Sequence, residues 1–192
     1  MTHVTILGKG NMGSAISGLV TKGGNTVQVL DQSDADEVVT GDVVVLAVPY
    51  AAIAGIVATR GAQLAGKVVV DITNPVNFET FDSLVVPADG SSASELAKAL
   101  PNSHVVKAFN TNFAATLASG KVGDLTTTVL IAGDDAAAKS TLSGIVTASG
   151  LNAIDAGSIN RARELESLGF LQITLAAGEK ISWAAGFGVV QG

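Results

Sequence analysis

The feature that most constrains this chain is a short β-branched run that leads directly into three closely spaced glycines. Val4–Leu7 is followed at once by Gly8, Gly10 and Gly13 in the spacing G-x-G-x-x-G, and an alanine-rich stretch comes next. Glycines in this spacing allow a tight turn, a close backbone approach and close packing of a helix on a strand. The sequence therefore predicts a strand–loop–helix unit whose helix begins at an anion-binding loop.

Short β-branched runs alternate with helical stretches along most of the chain. Some runs, such as Val43–Leu46 within Asp42–Val48, are apolar on both faces, which is typical of parallel strands covered by helices on both sides. The alternation predicts an α/β fold with a doubly wound, mostly parallel Rossmann sheet. The predicted strands are Val4–Leu7, Thr26–Leu30, Asp42–Val48, Lys67–Ile72, His104–Ala108, Thr127–Ala132 and Asn152–Asp155.

We expect residues 1–192 to form a single domain, with a C-terminal helical segment (about 156–192) packed on the sheet. Ser92 and Glu95 resemble the two ends of a capping box, so we expect a helix to begin there. The predicted helices are Met12–Lys22, Ala51–Arg60, Ala93–Leu100, Phe113–Ser119, Ala136–Ser149, Ile159–Leu175 and Glu179–Phe187.

The glycine loop, with an acidic residue at the end of the second strand, predicts binding of a nicotinamide dinucleotide. Asp31 stands where a carboxylate accepts from the ribose 2′-hydroxyl and repels a 2′-phosphate, which favours NAD. Lys9, within the loop, could reach a 2′-phosphate on the same ribose, which favours NADP. Each residue also has a simpler interpretation, Asp31 as a cap of the turn and Lys9 as a solvated side chain.

The segment after the second strand is too short for a complete sheet of this type. Only Gln32–Gly41 separates Thr26–Leu30 from Asp42–Val48. These residues cannot hold a helix, a strand and a second helix. We therefore expect one helix and one strand to be missing, and the adenine of a bound dinucleotide to be exposed.

The rest of the site is predicted from the residues that follow the strands, because ligands of open α/β sheets lie beyond the carboxyl ends. Amides and hydroxyls at these positions can orient a ring but are poor proton donors, so no catalytic residue is assigned. The residues are Pro49 and Tyr50, then Thr73, Asn74 and Pro75, then Phe109, Asn110, Thr111 and Asn112.

Other charged residues have structural interpretations. His3 and His104 each open a strand, at the edge away from the site, and are expected to be structural or solvated. For Lys107, a stem packed against a helix is favoured over a catalytic or cofactor-linked role. Surface ion pairs, with an interface as the alternative, are expected for Arg161, Arg163, Glu164 and Glu166.

Composition excludes several classes of partner. The net charge of −6 and the lack of a basic stripe argue against nucleic acid and anionic membranes. The chain has no cysteine, which excludes disulfides and zinc–thiolate sites, and no metal site is predicted. We expect a cytoplasmic location. The apolar tail Leu168–Val190 carries Glu179 and Lys180 near its middle, so it predicts helices and a homodimer contact rather than a membrane span.

Four motifs resemble the NADP-dependent deazaflavin (F420-type) oxidoreductase family, which is related to the cytosolic reductase domain of the six-transmembrane ferric reductases. They are G-K-G-N-M-G at Gly8–Gly13, D-I-T-N-P at Asp71–Pro75, G-S-S-A-S-E at Gly90–Glu95 and V-K-A-F-N-T at Val106–Thr111. The resemblance spans nearly the whole chain, and the second and fourth motifs are specific in combination.

The resemblance implies hydride transfer between NADPH and a flavin-like ring. It implies that Asn74, Pro75, Phe109 and Asn110 surround the nicotinamide and the acceptor, and that Val48 and Pro49 line the cofactor groove. In the family, the position of Lys9 helps to hold the 2′-phosphate. The family's Ser-Arg-Arg turn is replaced here by Asp31, Gln32 and Ser33, which weakens the case for NADP, although NADP stays ahead of NAD.

The candidate cofactor contacts come both from the glycine-loop and strand-end patterns and from the family resemblance. They are Gly8, Lys9, Gly10, Asn11, Met12, Gly13, Asp31, Gln32, Ser33, Val48, Pro49, Tyr50, Thr73, Asn74, Pro75, Phe109 and Asn110.

Three functions remain open at the level of sequence. The leading one is an NAD(P)H-dependent oxidoreductase with a flavin, deazaflavin or other conjugated small molecule as acceptor, since such a ring spreads the incoming charge itself. The second is a reductase of imines or small carbonyls, for which Tyr50, Thr73 and Thr111 are the candidate proton donors. The third is a dinucleotide-sensing module without turnover.

Overall fold

The computed structural model describes residues 1–191, and Gly192, the last residue of the expected C-terminal segment, lies outside them. The strands are β1 (His3–Leu7), β2 (Thr26–Leu30), β3 (Val43–Leu46), β4 (Val68–Asp71), β5 (His104–Lys107), β6 (Lys121–Val122), β7 (Leu125–Thr126), β8 (Thr128–Gly133) and β9 (Asn152–Gly157). The helices are α1 (Asn11–Lys22), α2 (Ile53–Arg60), α3 (Ser92–Ala99), α4 (Ala114–Ser119), α5 (Ala136–Ala148) and α6 (Ala162–Ala177).

Seven strands form one sheet in the order β2-β1-β3-β4-β5-β8-β9, and β6 and β7 form a separate hairpin. All neighbours in the large sheet are parallel except β5 and β8. This arrangement confirms the predicted fold class, a mostly parallel, doubly wound α/β sheet.

The register of the first five parallel strands aligns their ends. Leu30, Leu7, Leu46, Asp71 and Lys107 are successive partners across the sheet and occupy the last position of their strands. The residues that follow them therefore leave the sheet along one line. We call this line the carboxyl edge, and most of the predicted site residues follow it.

The core has two halves because the strands are apolar on both faces. Val45 packs on one face with Ile16 of α1 and Leu142 of α5. Its neighbour Val44 packs on the other face with Leu96 of α3. Both valines are essentially inaccessible to solvent, as the continuous apolar run of β3 predicts.

The expected shortening after the second strand is confirmed. Between β2 and β3 there is only a 3-10 turn, Gln32–Asp34, followed by irregular chain, and β2 is the edge strand. The Arg60 guanidinium donates to the carbonyl oxygens of Asp34 and Glu37, the latter at 2.6 Å, and Gln28 Nε2 donates to Val38 O at 2.9 Å. These side chains satisfy backbone groups that a helix or strand would otherwise pair.

Two local predictions are wrong. The predicted helix Glu179–Phe187 does not form, because α6 ends at Ala177 with Gly178 as its C-cap, and the next residue, Glu179, has φ 57°. The N-cap of α3 is Ser91 rather than Ser92 and pairs reciprocally with Ser94 at 3.0 Å. The cap shifts by one residue because the Ser92 amide is bound by the carboxylate of Glu166, at 3.0 Å.

No helix within residues 1–191 has both the length and the apolar character needed to cross a membrane.

Candidate active site

The glycine loop joins β1 to α1 in the manner that the spacing predicts. Gly8 has φ 121°, and a Cβ there would overlap the carbonyl oxygen of Ala47. A Cβ on Gly13 would overlap the carbonyl oxygen of Gly8, whereas a Cβ on Gly10 would meet no atom within 4 Å. The first and third glycines are thus required by packing within the chain, and the second borders open space.

The first turn of α1 is suited to an anion. Gly10 is the N-cap, no side chain caps the helix, and no acidic residue lies in its first turn. The N-terminal amides of a helix lack partners within the helix and lie at the positive end of its dipole. Asn11 is exposed and Met12 is half-buried beside this turn. These features fit the pyrophosphate of a dinucleotide, which the amides and Gly10 would hold.

The ribose end of the candidate site carries an ion cluster that we call the Lys9 cluster: Lys9, Asp31 and Asp34. Lys9 Nζ lies 2.8 Å from Asp34 Oδ2 and 3.0 Å from Asp31 Oδ2. Hydrogen bonds from Ser33, and then from Lys9, lower the pKa of Asp31 to about 2. Asp31 caps the 3-10 turn by accepting from the Ser33 amide at 2.8 Å, so its simpler predicted role is present. Lys9 is ion-paired rather than merely solvated.

The segment after β3 brings Tyr50 toward α3. Val48 is half-buried and Pro49 is exposed. The hydroxyl of Tyr50 donates to Glu95 Oε2 at 2.8 Å, and partial burial, then Glu95, raises the pKa of Tyr50 to about 12. A phenol with that pKa is a poor general acid near neutral pH.

The segments after β4 and β5 are joined by a pair of amide side chains. Asn74 Nδ2 donates to the Asn110 carbonyl at 2.8 Å, and Asn110 Nδ2 donates to Asn74 Oδ1 at 2.9 Å. Helix α6 closes on this pair, because a Cβ on Gly169 would overlap Asn74 Oδ1. Asn110 Oδ1 is buried and has no partner within residues 1–191. Pro75 is buried beside the pair.

Phe109 occupies a strained position at the same edge. Its φ is 62°, which is rare for a bulky residue, and its ring is packed in the core at 1% exposure. The side chain of Thr73 is also buried, with its hydroxyl 2.9 Å from that of Ser92. Phe109 therefore presents backbone rather than its ring to the edge.

A buried ion cluster at the carboxyl edge was missed by sequence reasoning. We call it the Lys107 cluster: Lys107, Asp71 and Glu166. Lys107 Nζ lies 3.0 Å from Asp71 Oδ2 and 2.8 Å from Glu166 Oε1, and all three side chains are at most 1% exposed. Glu166 was expected on the helix surface and is instead buried, where desolvation raises its pKa. A packed lysine stem is therefore an incomplete description of Lys107.

The remaining charged residues lie where the sequence predicts. Arg161 and Arg163 form surface ion pairs with Glu164. His3 lies between the hydroxyls of Thr26 and Thr40 at the start of β1, and His104 pairs with Asp135 at the start of β5.

The fold and the site together define a class. A glycine loop at the carboxyl edge of a doubly wound parallel sheet, with an open helix N-terminus, is the architecture of Rossmann-type, NAD(P)-dependent oxidoreductases. A family model, NADP oxidoreductase coenzyme F420-dependent, matches residues 28–75.

Similar proteins support the same class. The chain is 29% identical over 156 residues to the F420-dependent NADP reductase of Methanocaldococcus jannaschii, covering 79% of this chain and 70% of that protein. It is 41% identical over 106 residues to metalloreductase STEAP3 of Rattus norvegicus, covering 55% of this chain but only 20% of that longer protein.

A solved structure agrees over the full length. A protein from Arthrobacter sp. FB24, provisionally assigned as an F420-dependent NADP-reductase, superimposes with a TM-score of 0.86 at 25% identity and 100% coverage of both chains. The predicted resemblance to the deazaflavin oxidoreductase family is confirmed, and the chain is an NAD(P)H-dependent oxidoreductase. The names of these relatives support NADP, the cofactor that the sequence favours.

Proposed function

We propose that the chain transfers hydride between NADPH and a flavin-like or deazaflavin ring. The observation that carries this proposal is that the three candidate proton donors at the carboxyl edge are hydrogen-bonded or buried. Tyr50 is bound to Glu95, Thr73 is buried against Ser92, and Thr111 is buried. A conjugated ring needs positioning more than proton donation, whereas reduction of an imine or carbonyl needs an acid.

We assign the candidate contacts to three parts of the dinucleotide. The amides of Gly8–Gly13 would hold the pyrophosphate, and the turn Asp31–Ser33 with Lys9 would meet the ribose of the adenosine. Val48, Pro49 and Tyr50 would line the groove. The backbone and amides of Thr73–Pro75 and Phe109–Asn110 would face the nicotinamide and the acceptor. When bound, NADPH supplies the hydride.

An acceptor panel tests this proposal. NADPH oxidation is followed with a deazaflavin, riboflavin, FMN, a ferric chelate and a cyclic imine, each at the same concentration. We expect turnover with the deazaflavin or a flavin to exceed that with the imine at least tenfold. Turnover of the imine alone would support the imine reductase. Tight NADPH binding without oxidation by any acceptor would support the sensor.

We also propose that the chain is a cytoplasmic homodimer. Leu171 of α6 and Trp183 of the tail are 50% and 55% exposed, and Trp183 packs on Phe113 with ring centroids 5.0 Å apart. These exposed apolar side chains of the C-terminal segment are the surface that a partner copy would cover. Light scattering at micromolar concentration is expected to give twice the chain mass, and a monomer would contradict the dimer.

Fractionation of the source cells is expected to place the protein in the cytoplasm.

A further inference from the structure

The Lys107 cluster is fully hydrogen-bonded, although the proposed reaction does not use it. Besides its two carboxylate partners, the Lys107 ammonium donates to the carbonyl oxygen of Thr73. An ammonium has three protons, so this set uses all of them. Glu166 also accepts from the amides of Ser92 and Ala93 at the start of α3, at 3.0 and 3.4 Å.

The cluster connects four elements at one point of the edge. Asp71 and Lys107 end the neighbouring strands β4 and β5, Glu166 comes from α6, and its amide partners open α3. Asp71 Oδ1 also accepts from the Thr73 amide at 2.8 Å. Buried ion clusters of this kind stabilise a fold poorly compared with apolar packing, so a gain in stability does not by itself account for this one.

The position that is fixed is the peptide between Thr73 and Asn74. The chain has no cis peptide within residues 1–191, so this peptide is trans and planar, and its N–H points opposite to its C=O. The C=O points at the buried Lys107. The Asn74 N–H therefore points away from the cluster, and it has no hydrogen-bond partner within residues 1–191.

We propose that the Lys107 cluster positions and polarises the Thr73–Asn74 peptide, so that the Asn74 N–H donates to the carboxamide oxygen of the nicotinamide. An ammonium bound to a carbonyl oxygen strengthens the donor at the other end of the same peptide. The Asn74–Asn110 pair prevents this segment from turning. Lys107 is thus a positioning residue, and the inference rests on the proposed function.

Two ligands separate this role from general stability. NADP⁺ carries the nicotinamide, and 2′-phospho-ADP-ribose lacks it but keeps the pyrophosphate and the 2′-phosphate. In Lys107→Met, we expect the Kd for NADP⁺ to rise tenfold or more and the Kd for 2′-phospho-ADP-ribose to stay within twofold. Equal weakening of both ligands would overturn the inference.

Two further variants serve as matched comparisons. Glu166→Gln alters the same cluster but leaves Lys107 bound to the Thr73 carbonyl, so its Kd for NADP⁺ should rise by less than threefold. Lys139→Met removes a partly buried lysine whose ion pair with Asp155 lies on β9, two strands from β5. It should leave both Kd values unchanged. A tenfold loss of NADP⁺ affinity in Lys139→Met would also overturn the inference.

A measurement on the unmodified protein covers the case in which Lys107→Met does not fold. The amide proton of Asn74 should shift downfield in the NMR spectrum on addition of NADP⁺ and stay in place with 2′-phospho-ADP-ribose. No shift with NADP⁺ overturns the inference alone. If neither ligand binds the unmodified protein, the proposed function fails as well.

Discussion

Lys9 decides the charge that the ribose end of the site presents. It stands in the glycine loop, where a cation would favour a 2′-phosphate, but both carboxylates of its cluster lie within 3.0 Å. Formally the cluster has one positive and two negative charges. A 2′-phosphate must therefore compete with Asp31 and Asp34 for the same ammonium.

Releasing Lys9 should strengthen binding of NADPH. In Asp34→Asn, the amide can still accept from the Asp31 backbone N–H, which Asp34 Oδ2 binds at 2.9 Å, but the competing charge is gone. We expect the affinity for NADPH to rise only about two- to fivefold, because exposed ion pairs are weak, and that for NADH to change little. Titration with both cofactors measures the ratio. Asp36→Asn, an exposed acid of the same loop that forms no ion pair with Lys9, is the control. An unchanged ratio in Asp34→Asn would contradict the competition.

Tyr50 offers an optical test of its surroundings, because it is the only tyrosine in the chain. Its phenolate absorbance should titrate near pH 12, the pKa that partial burial and Glu95 produce, rather than near 10. The folded state favours the neutral phenol, so this contribution to stability is complete below about pH 10 and is lost as the pH rises toward 12. Glu95→Gln should move the midpoint only part of the way down, since burial is the larger cause. A midpoint near 10 in the folded protein would refute the partly buried hydrogen bond to Glu95.

The sequence predicts individual residues correctly where the backbone geometry allows only one type of residue. Gly8 and Gly13 are required by backbone contacts, and the position of Asp31 follows from the end of β2. The Lys107 cluster was not predicted, because Asp71, Lys107 and Glu166 are distant in sequence and a charged residue is ordinarily assigned to the surface. The available signal was the charged last residue of two strands otherwise rich in valine, β4 and β5.

At the scale of elements, α1 carries a matched pair of glycines. Gly13→Ala would press a Cβ into the Gly8 carbonyl, so we expect a loss of about 1–3 kcal/mol and weaker dinucleotide binding. Gly18 is exposed on the same helix and has open space around its Cβ position. Gly18→Ala should stabilise by about 0.4–1 kcal/mol. Urea unfolding of both variants checks the contrast, and equal effects would show that helix propensity alone governs them.

Elements were predictable where the apolar pattern was strong. Each predicted strand is present, because short, β-branched runs such as Val43–Leu46 favour a strand buried on both faces. The helix expected at Glu179–Phe187 failed because apolar content there does not reflect a continuous buried face. Gly178 and the left-handed Glu179 end α6, and Lys180 donates its amide back to the Leu175 carbonyl at 2.8 Å.

For the whole molecule, a dinucleotide that binds only the folded state should raise the melting temperature. At a free concentration of 100 times Kd the gain is about 2.7 kcal/mol, and for a chain of this size that corresponds to roughly 5–10 °C. Differential scanning fluorimetry with NADP⁺ measures the shift. Nicotinamide alone, which lacks the pyrophosphate, should give no shift at the same concentration. The absence of any shift with NADP⁺ at saturation would argue against the glycine loop as a cofactor site.

The short connection after β2 has a practical consequence for purification. Arg60 and Gln28 hold the loop between β2 and β3 in place of a helix and a strand, so little of the chain would surround the adenine of a bound cofactor. A spacer attached to the exocyclic amine of that adenine would then run into solvent. We expect a resin carrying NADP⁺ through this amine to retain the protein, and free NADP⁺ to elute it.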